Sequence, residues 1–155
     1  MLSVRLLIWA AVAGSFIPVM AILNGRLGRS IGQSLHAPVI LFAVGLIFCV
    51  ICSYTFTKSL PTFETMKSAQ PVEYVGGLIV AFYVTSATLL APRIGVANFI
   101  ICAVAAQIAF SLAIDHFGLF GAAVRVVSIQ KMLGVGLLII GLFVSQMADL
   151  TGEIE

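Results

Sequence analysis

Charge is what this chain has least of. Only 9% of its 155 residues are Asp, Glu, Lys or Arg, against 61% hydrophobic, where soluble domains carry about 25% charged residues. A polar surface cannot be built from so few, so a soluble domain is excluded. The basic residues form no patch, which excludes nucleic-acid binding. There is no glycine-rich phosphate loop, no cluster with metal-ligand spacing and no Ser/His/Asp set. Intramembrane proteolysis would need a catalytic Ser, an Asp pair or a zinc motif, and none is evident. We therefore expect no enzyme, no cofactor and no metal. Cysteine is equally sparse. Cys49, Cys52 and Cys102 all lie inside apolar runs. The Cys49–Cys52 spacing has no second pair and no histidine beside it, so these thiols read as packing side chains and imply no disulfide framework.

What is present is apolar sequence in long runs. Five of them, at about 6–23, 37–56, 75–91, 94–114 and 132–148, fill nearly the whole chain. A bilayer core about 30 Å thick takes about 17 to 25 apolar helical residues. Each run meets that length, and the charges fall almost entirely in the gaps. The expected fold is an all-α polytopic membrane protein, a single five-helix transmembrane domain over 1–155. Barrel strands alternate apolar and polar positions, whereas 137–144 (LLIIGLFV) is apolar on every side. Arg5, an apolar stretch and small residues at 11–13 imitate a secretory signal. Because the apolar run continues unbroken to position 23, the segment is expected to remain as the first span.

An odd span count in so short a chain carries information. With the N-terminus inside, Arg5, Lys58, Lys67, Arg125 and Lys131 are cytoplasmic and Arg26, Arg29 and Arg93 are not. Five against three is a weak positive-inside bias. A chain with little orientation preference can insert both ways, giving an antiparallel homodimer, or can pair with an opposed homologue. Five helices then look like one half of an inverted ten-helix arrangement around a mid-membrane site, the architecture of alternating-access carriers. The other reading is a single topology with a weak charge signal.

Punctuation along the chain refines this picture. Pro18 sits within the first run, followed by Asn24-Gly25, which either stays helical or ends the helix as a turn. Pro38 opens the second helix. Phe63 and Met66 lie in the longest polar connection, where one apolar turn would dock on the membrane surface. Pro92-Arg93 marks a tight turn between the third and fourth helices. Residues 115–118 (DHFG) end the fourth, and Gly134 and Gly141 share a face of the fifth, a candidate dimer contact.

Polar groups inside a span usually face a bundle interior or an aqueous cavity. Gln107, Ser111 and Asp115 recur every four residues on one helix face. Tyr83 falls mid-span with Ser86 near it. Asn24, Tyr83, Ser86, Gln107 and Ser111 are the candidate substrate-binding residues; the alternative for each is a helix-to-helix hydrogen bond. Asp115 is the carboxylate nearest a span. Inside the membrane it would be a proton-coupling candidate; at the interface it would cap a turn or meet an arginine.

Several stretches resemble one family. Residues 18–29 (PVMAILNGRLGR), 91–95 (APRIG) and 107–121 (QIAFSLAIDHFGLFG) are similar to the first-helix signature, the third-to-fourth turn and the fourth-helix end of the YdcZ family. These are half-size, five-helix bacterial inner-membrane proteins in the drug/metabolite transporter superfamily. Met20 departs from the pattern, standing where the family often has glutamine, so one polar contact is missing. The resemblance implies a multi-pass small-molecule transporter of the inner (plasma) membrane; with the half-repeat span count and the central Gln107 and Tyr83, the leading expectation is a secondary carrier of a small organic metabolite or drug-like solute. Its partners would be that solute, the lipid bilayer and an opposed copy or homologue. The first-helix glutamate of small multidrug exporters has no counterpart here, so their exchange mechanism is not expected. A small dual-topology ion channel and a non-transporting accessory subunit are the competing expectations.

Overall fold

The computed structural model describes residues 4–152. The regular structure among them is helical, with no strand. The first helix, α1 (Val4–Ser30), contains no acidic residue and runs straight through Asn24-Gly25. Of the two readings open for that dipeptide, the helical one holds. The helix stops later, where Gly32 at φ +74 places its N–H on the Arg29 carbonyl at 3.2 Å. The second helix, α2 (His36–Thr57), carries Pro38 in its first turn and ends on Lys58. That residue takes the left-handed conformation (φ 55) and donates its N–H to the Tyr54 carbonyl at 2.9 Å.

The connection after α2 is ordered by local side-chain bonds. Thr62 and Thr65 form a reciprocal capping box on the short helix α3 (Phe63–Lys67). The Tyr74 hydroxyl, closing the turn at Pro71–Tyr74, donates to the Met66 carbonyl at 2.5 Å. Phe63 is 71% exposed, and the Lys67 ammonium lies 4.6 Å from its ring centroid.

α4 (Val75–Ile94) corrects one expectation. Pro92 does not make the turn; it lies inside the helix, near its end. The break comes at Gly95, whose φ of +88 suits glycine, and α5 (Val96–Phe117) starts at the next residue. A proline removes a donor and disturbs the preceding turn, but it does so at little cost near a helix terminus. Gly118 then ends α5 at φ +63, and the Arg125 N–H closes the following loop on the Asp115 carbonyl at 2.8 Å. The last helix, α6, is Ile129–Gly152.

The chain divides into two compact units, one up to Val96 and one from Ala97. In the first, α1, α2 and α4 pack against one another. α1 contributes Ala21, Asn24, Gly25 and Gly28, and α4 contributes Val84, Ala87, Thr88 and Ala91. Both sets follow i, i+3, i+4, i+7 and consist mainly of small residues. That is how helices associate in lipid, where close backbone approach and van der Waals contact replace the hydrophobic effect. In the second unit, Ile100, Ile101, Val104 and Ile108 of α5 and Leu138 of α6 line an open apolar pocket of about 230 Å3.

Large apolar side chains point outward, Trp9 at 76% and Phe82 at 77% exposed among them. Four helical stretches are long and apolar enough to cross a membrane: Val4–Ser30, His36–Thr57, Pro71–Ile94 and Val96–Phe117. The apolar part of α6, Ile129–Ser145, is shorter.

Candidate functional site

The one buried polar pair described in the first unit joins α1 to α4. Asn24 and Thr88 are 4% and 3% exposed, and Asn24 Nδ2 donates to Thr88 Oγ1 at 2.5 Å. The Thr88 hydroxyl proton goes to the Val84 carbonyl one turn back, at 2.8 Å. Its oxygen is thereby left to accept, and the Asn24 amide presents nitrogen to it. The amide oxygen, Oδ1, has no hydrogen-bond partner among the described residues.

Just beside this pair α1 approaches α4 closely. A Cβ built on Gly25 would lie 3.3 Å from Pro92 Cγ. A cavity of about 130 Å3 there is lined by Ala21, Gly25, Arg29, Ala91 and Pro92. A larger one, about 320 Å3, opens between α1 and α2; Met20, Leu23 and Leu27 face Ile40, Leu41 and Val44 across it, and Asn24 lines it too. Tyr83 and Ser86 on α4 are half-buried; Tyr83 lies one turn before the buried Ala87, and Ser86 directly precedes it.

Within the second unit the expected polar face of α5 exists, but it is uncovered. Gln107 and Ser111 are exposed and Asp115 is half-buried. Ser111 Oγ turns back to the Ile108 carbonyl at 3.1 Å. The Gln107 amide makes no hydrogen bond among the described residues. The Asp115 carboxylate makes no ion pair among them; it is the main chain of Asp115 that meets Arg125. Gly134 and Gly141 of α6 are exposed, and a Cβ on either would meet nothing within 4 Å.

Thr88 is the residue that sequence reasoning passed over. Its signal was the small-residue spacing 84, 87, 88, 91, which sets it on the same face as two alanines.

Residues 5–144 match the model of the family described as "Putative inner membrane exporter, YdcZ". The chain belongs to the YdcZ family. No curated protein and no solved structure matches it. A YdcZ protein is an inner-membrane protein with transmembrane helices, and its family's description places it among transporters. The match spans all three resembling stretches, 18–29, 91–95 and 107–121.

Proposed function

We propose that this YdcZ protein is half of a secondary carrier that exports a small organic metabolite or drug-like solute by alternating access. In this reading α6 crosses the membrane as a fifth span, and two oppositely inserted copies, or a copy and a homologue, complete the inverted ten-helix unit. The observation that carries it is the Gln107 amide, exposed and without a hydrogen-bond partner among the described residues, midway along a predominantly apolar helix. An unsatisfied amide costs several kcal/mol in hydrocarbon. Intramembrane polar groups therefore face protein or a water-filled path. A solute pathway shared between two chains gives Gln107 and Ser111 such a face. Tyr83, Ser86 and Asn24 would serve the solute from the first unit. Asp115 would be the proton-coupling group, and the open face at Gly134 and Gly141 would meet the second copy.

Two measurements test this reading. Reporters fused after Glu155 should show the terminus on both faces of the membrane if opposed homodimers form. The purified protein in liposomes should give saturable flux with competition between solutes. Flux rising linearly without saturation would sink the carrier.

A further inference from the structure

Packing in the first unit is gathered at one end. Contacts climb together along α1 and α4, Asn24 with Thr88 and Gly25 beside Pro92, so these two helices run in the same direction. α2 returns antiparallel to α1. Gly28 sits against Ser34 in the turn, and Leu23 and Leu27 face Ile40, Leu41 and Val44. The buried residues lie within 21–28 of α1, 37–38 of α2 and 84–91 of α4. Toward the other end, 4–17 of α1, 46–51 of α2 and 75–80 of α4 are exposed throughout.

Of these three helices, α1 is the one equipped to bend between its packed and its open half. A Cβ on Gly14 would meet nothing within 4 Å. No close neighbour therefore requires glycine there, and it costs about 1 kcal/mol of helix stability relative to alanine. Ser15 Oγ donates to the Val12 carbonyl at 2.7 Å, a local bond of the kind that bends helices. Pro18 has no N–H, so the Gly14 carbonyl loses its partner four residues on. Sharp kinks arise at prolines and at Gly/Ser pairs, and 14–18 holds both. α2 and α4 have no proline between their buried residues and their exposed ends.

Building on the carrier reading, we propose that α1 is a hinged gate. Residues 4–17 swing about 14–18. Residues 18–30 stay fixed on α4, held by the Asn24–Thr88 bond and the seat of Gly25 against Pro92. Swung toward α2 and α4, the free half covers their exposed stretches and closes that end of the unit to solute; swung away, it opens it. At about 1.5 Å per residue the free half is about 21 Å long, so a bend of about 20° carries its tip about 7 Å.

Double electron–electron resonance on the full chain in nanodiscs tests the hinge without any solute. Cys49, Cys52 and Cys102 are replaced by alanine, and labelled chains are diluted with unlabelled ones so that distances within a chain dominate. Spin labels go in pairs on Ile8→Cys of α1, Val50→Cys of α2 and Leu78→Cys of α4, all exposed positions toward the open end. The 8–50 and 8–78 distances should each spread about 7 Å more widely than the 50–78 distance, because only the first two include the moving half. Gly14→Ala with Pro18→Ala should narrow both to the 50–78 width. Should that variant fail to fold, the three-way comparison in the parent chain still decides. Three equal widths, or a spread that survives the double substitution, overturns the proposal. The carrier reading fails separately. A hinged α1 without saturable flux in liposomes would leave the hinge and remove the carrier, and saturable flux with a rigid α1 would remove the gate and leave the carrier.

Discussion

Replacing Gly28 by alanine gives the sharpest test of how α1 is seated. A Cβ on Gly28 would lie 2.9 Å from the Cα of Ser34, in the turn that leads into α2. Carbon atoms in contact sit about 3.5 to 4.0 Å apart, so the overlap is about 0.6 to 1.1 Å. The obstacle is backbone and cannot swing aside as a side-chain tip would, so α1 or the 31–35 turn must move. Overpacking of this kind costs about 1 to 3 kcal/mol. Alanine also favours a helix over glycine by up to about 1 kcal/mol, which is why a control is needed. Gly45 of α2 provides it, since a Cβ there meets nothing within 4 Å. Propensity acts in the same direction at both positions, and the clash acts at one. Gly28→Ala should therefore be about 1 to 3 kcal/mol less stable than Gly45→Ala. Equilibrium unfolding in mixed micelles, followed by far-ultraviolet circular dichroism, measures the gap. Equal stability of the two variants would refute the close approach of α1 to the turn.

Three further outcomes are expected. Gln107→Leu should abolish saturable flux in liposomes while leaving the unfolding midpoint of the solubilised chain unchanged or raised, because the amide makes no bond within the described residues; retained flux would remove Gln107 from the pathway. Lys58→Gly should stabilise the chain by about 1 kcal/mol in the same unfolding assay, since glycine adopts the left-handed conformation at φ 55 without steric penalty. Phe63→Trp should place an indole in the headgroup region, read as strong fluorescence quenching by lipids brominated near the glycerol end of the acyl chain and weak quenching by those brominated near its terminus; the reverse order would contradict an interfacial α3.

The all-helical class and the four stretches of bilayer length were legible, because unbroken apolar runs of that length leave a chain few alternatives. Their ends were less so. The Asn24-Gly25 dipeptide reads equally well as turn or helix locally. What decides it is tertiary: Asn24, Gly25 and Gly28 complete the stripe begun by Ala21, and ending the helix at 24 would forfeit the contact with α4. Pro92 misled in the opposite way. A proline breaks a helix through the turn before it, so near a terminus it is tolerated, and the break falls to Gly95. At the candidate site, hydropathy drew the eye to the strongly polar Gln107 and left Thr88 unremarked. A threonine that returns its proton to its own helix costs little in an apolar run, and only the facing asparagine on α1 shows what its oxygen is for.

The Asn24–Thr88 bond has a consequence for how the protein is made. Its partners lie 64 residues apart along the chain. At a synthesis rate of about 5 to 20 residues per second, the Asn24 amide exists for about 3 to 13 s before the ribosome has added Thr88. During that interval α1 can enter the bilayer only with an unpaired amide, or wait where water or another protein meets it. The nascent first helix therefore has reason to linger at the insertion machinery until α4 arrives. Release of α1 into lipid becomes a late, paired event, in which two helices leave together what neither leaves readily alone.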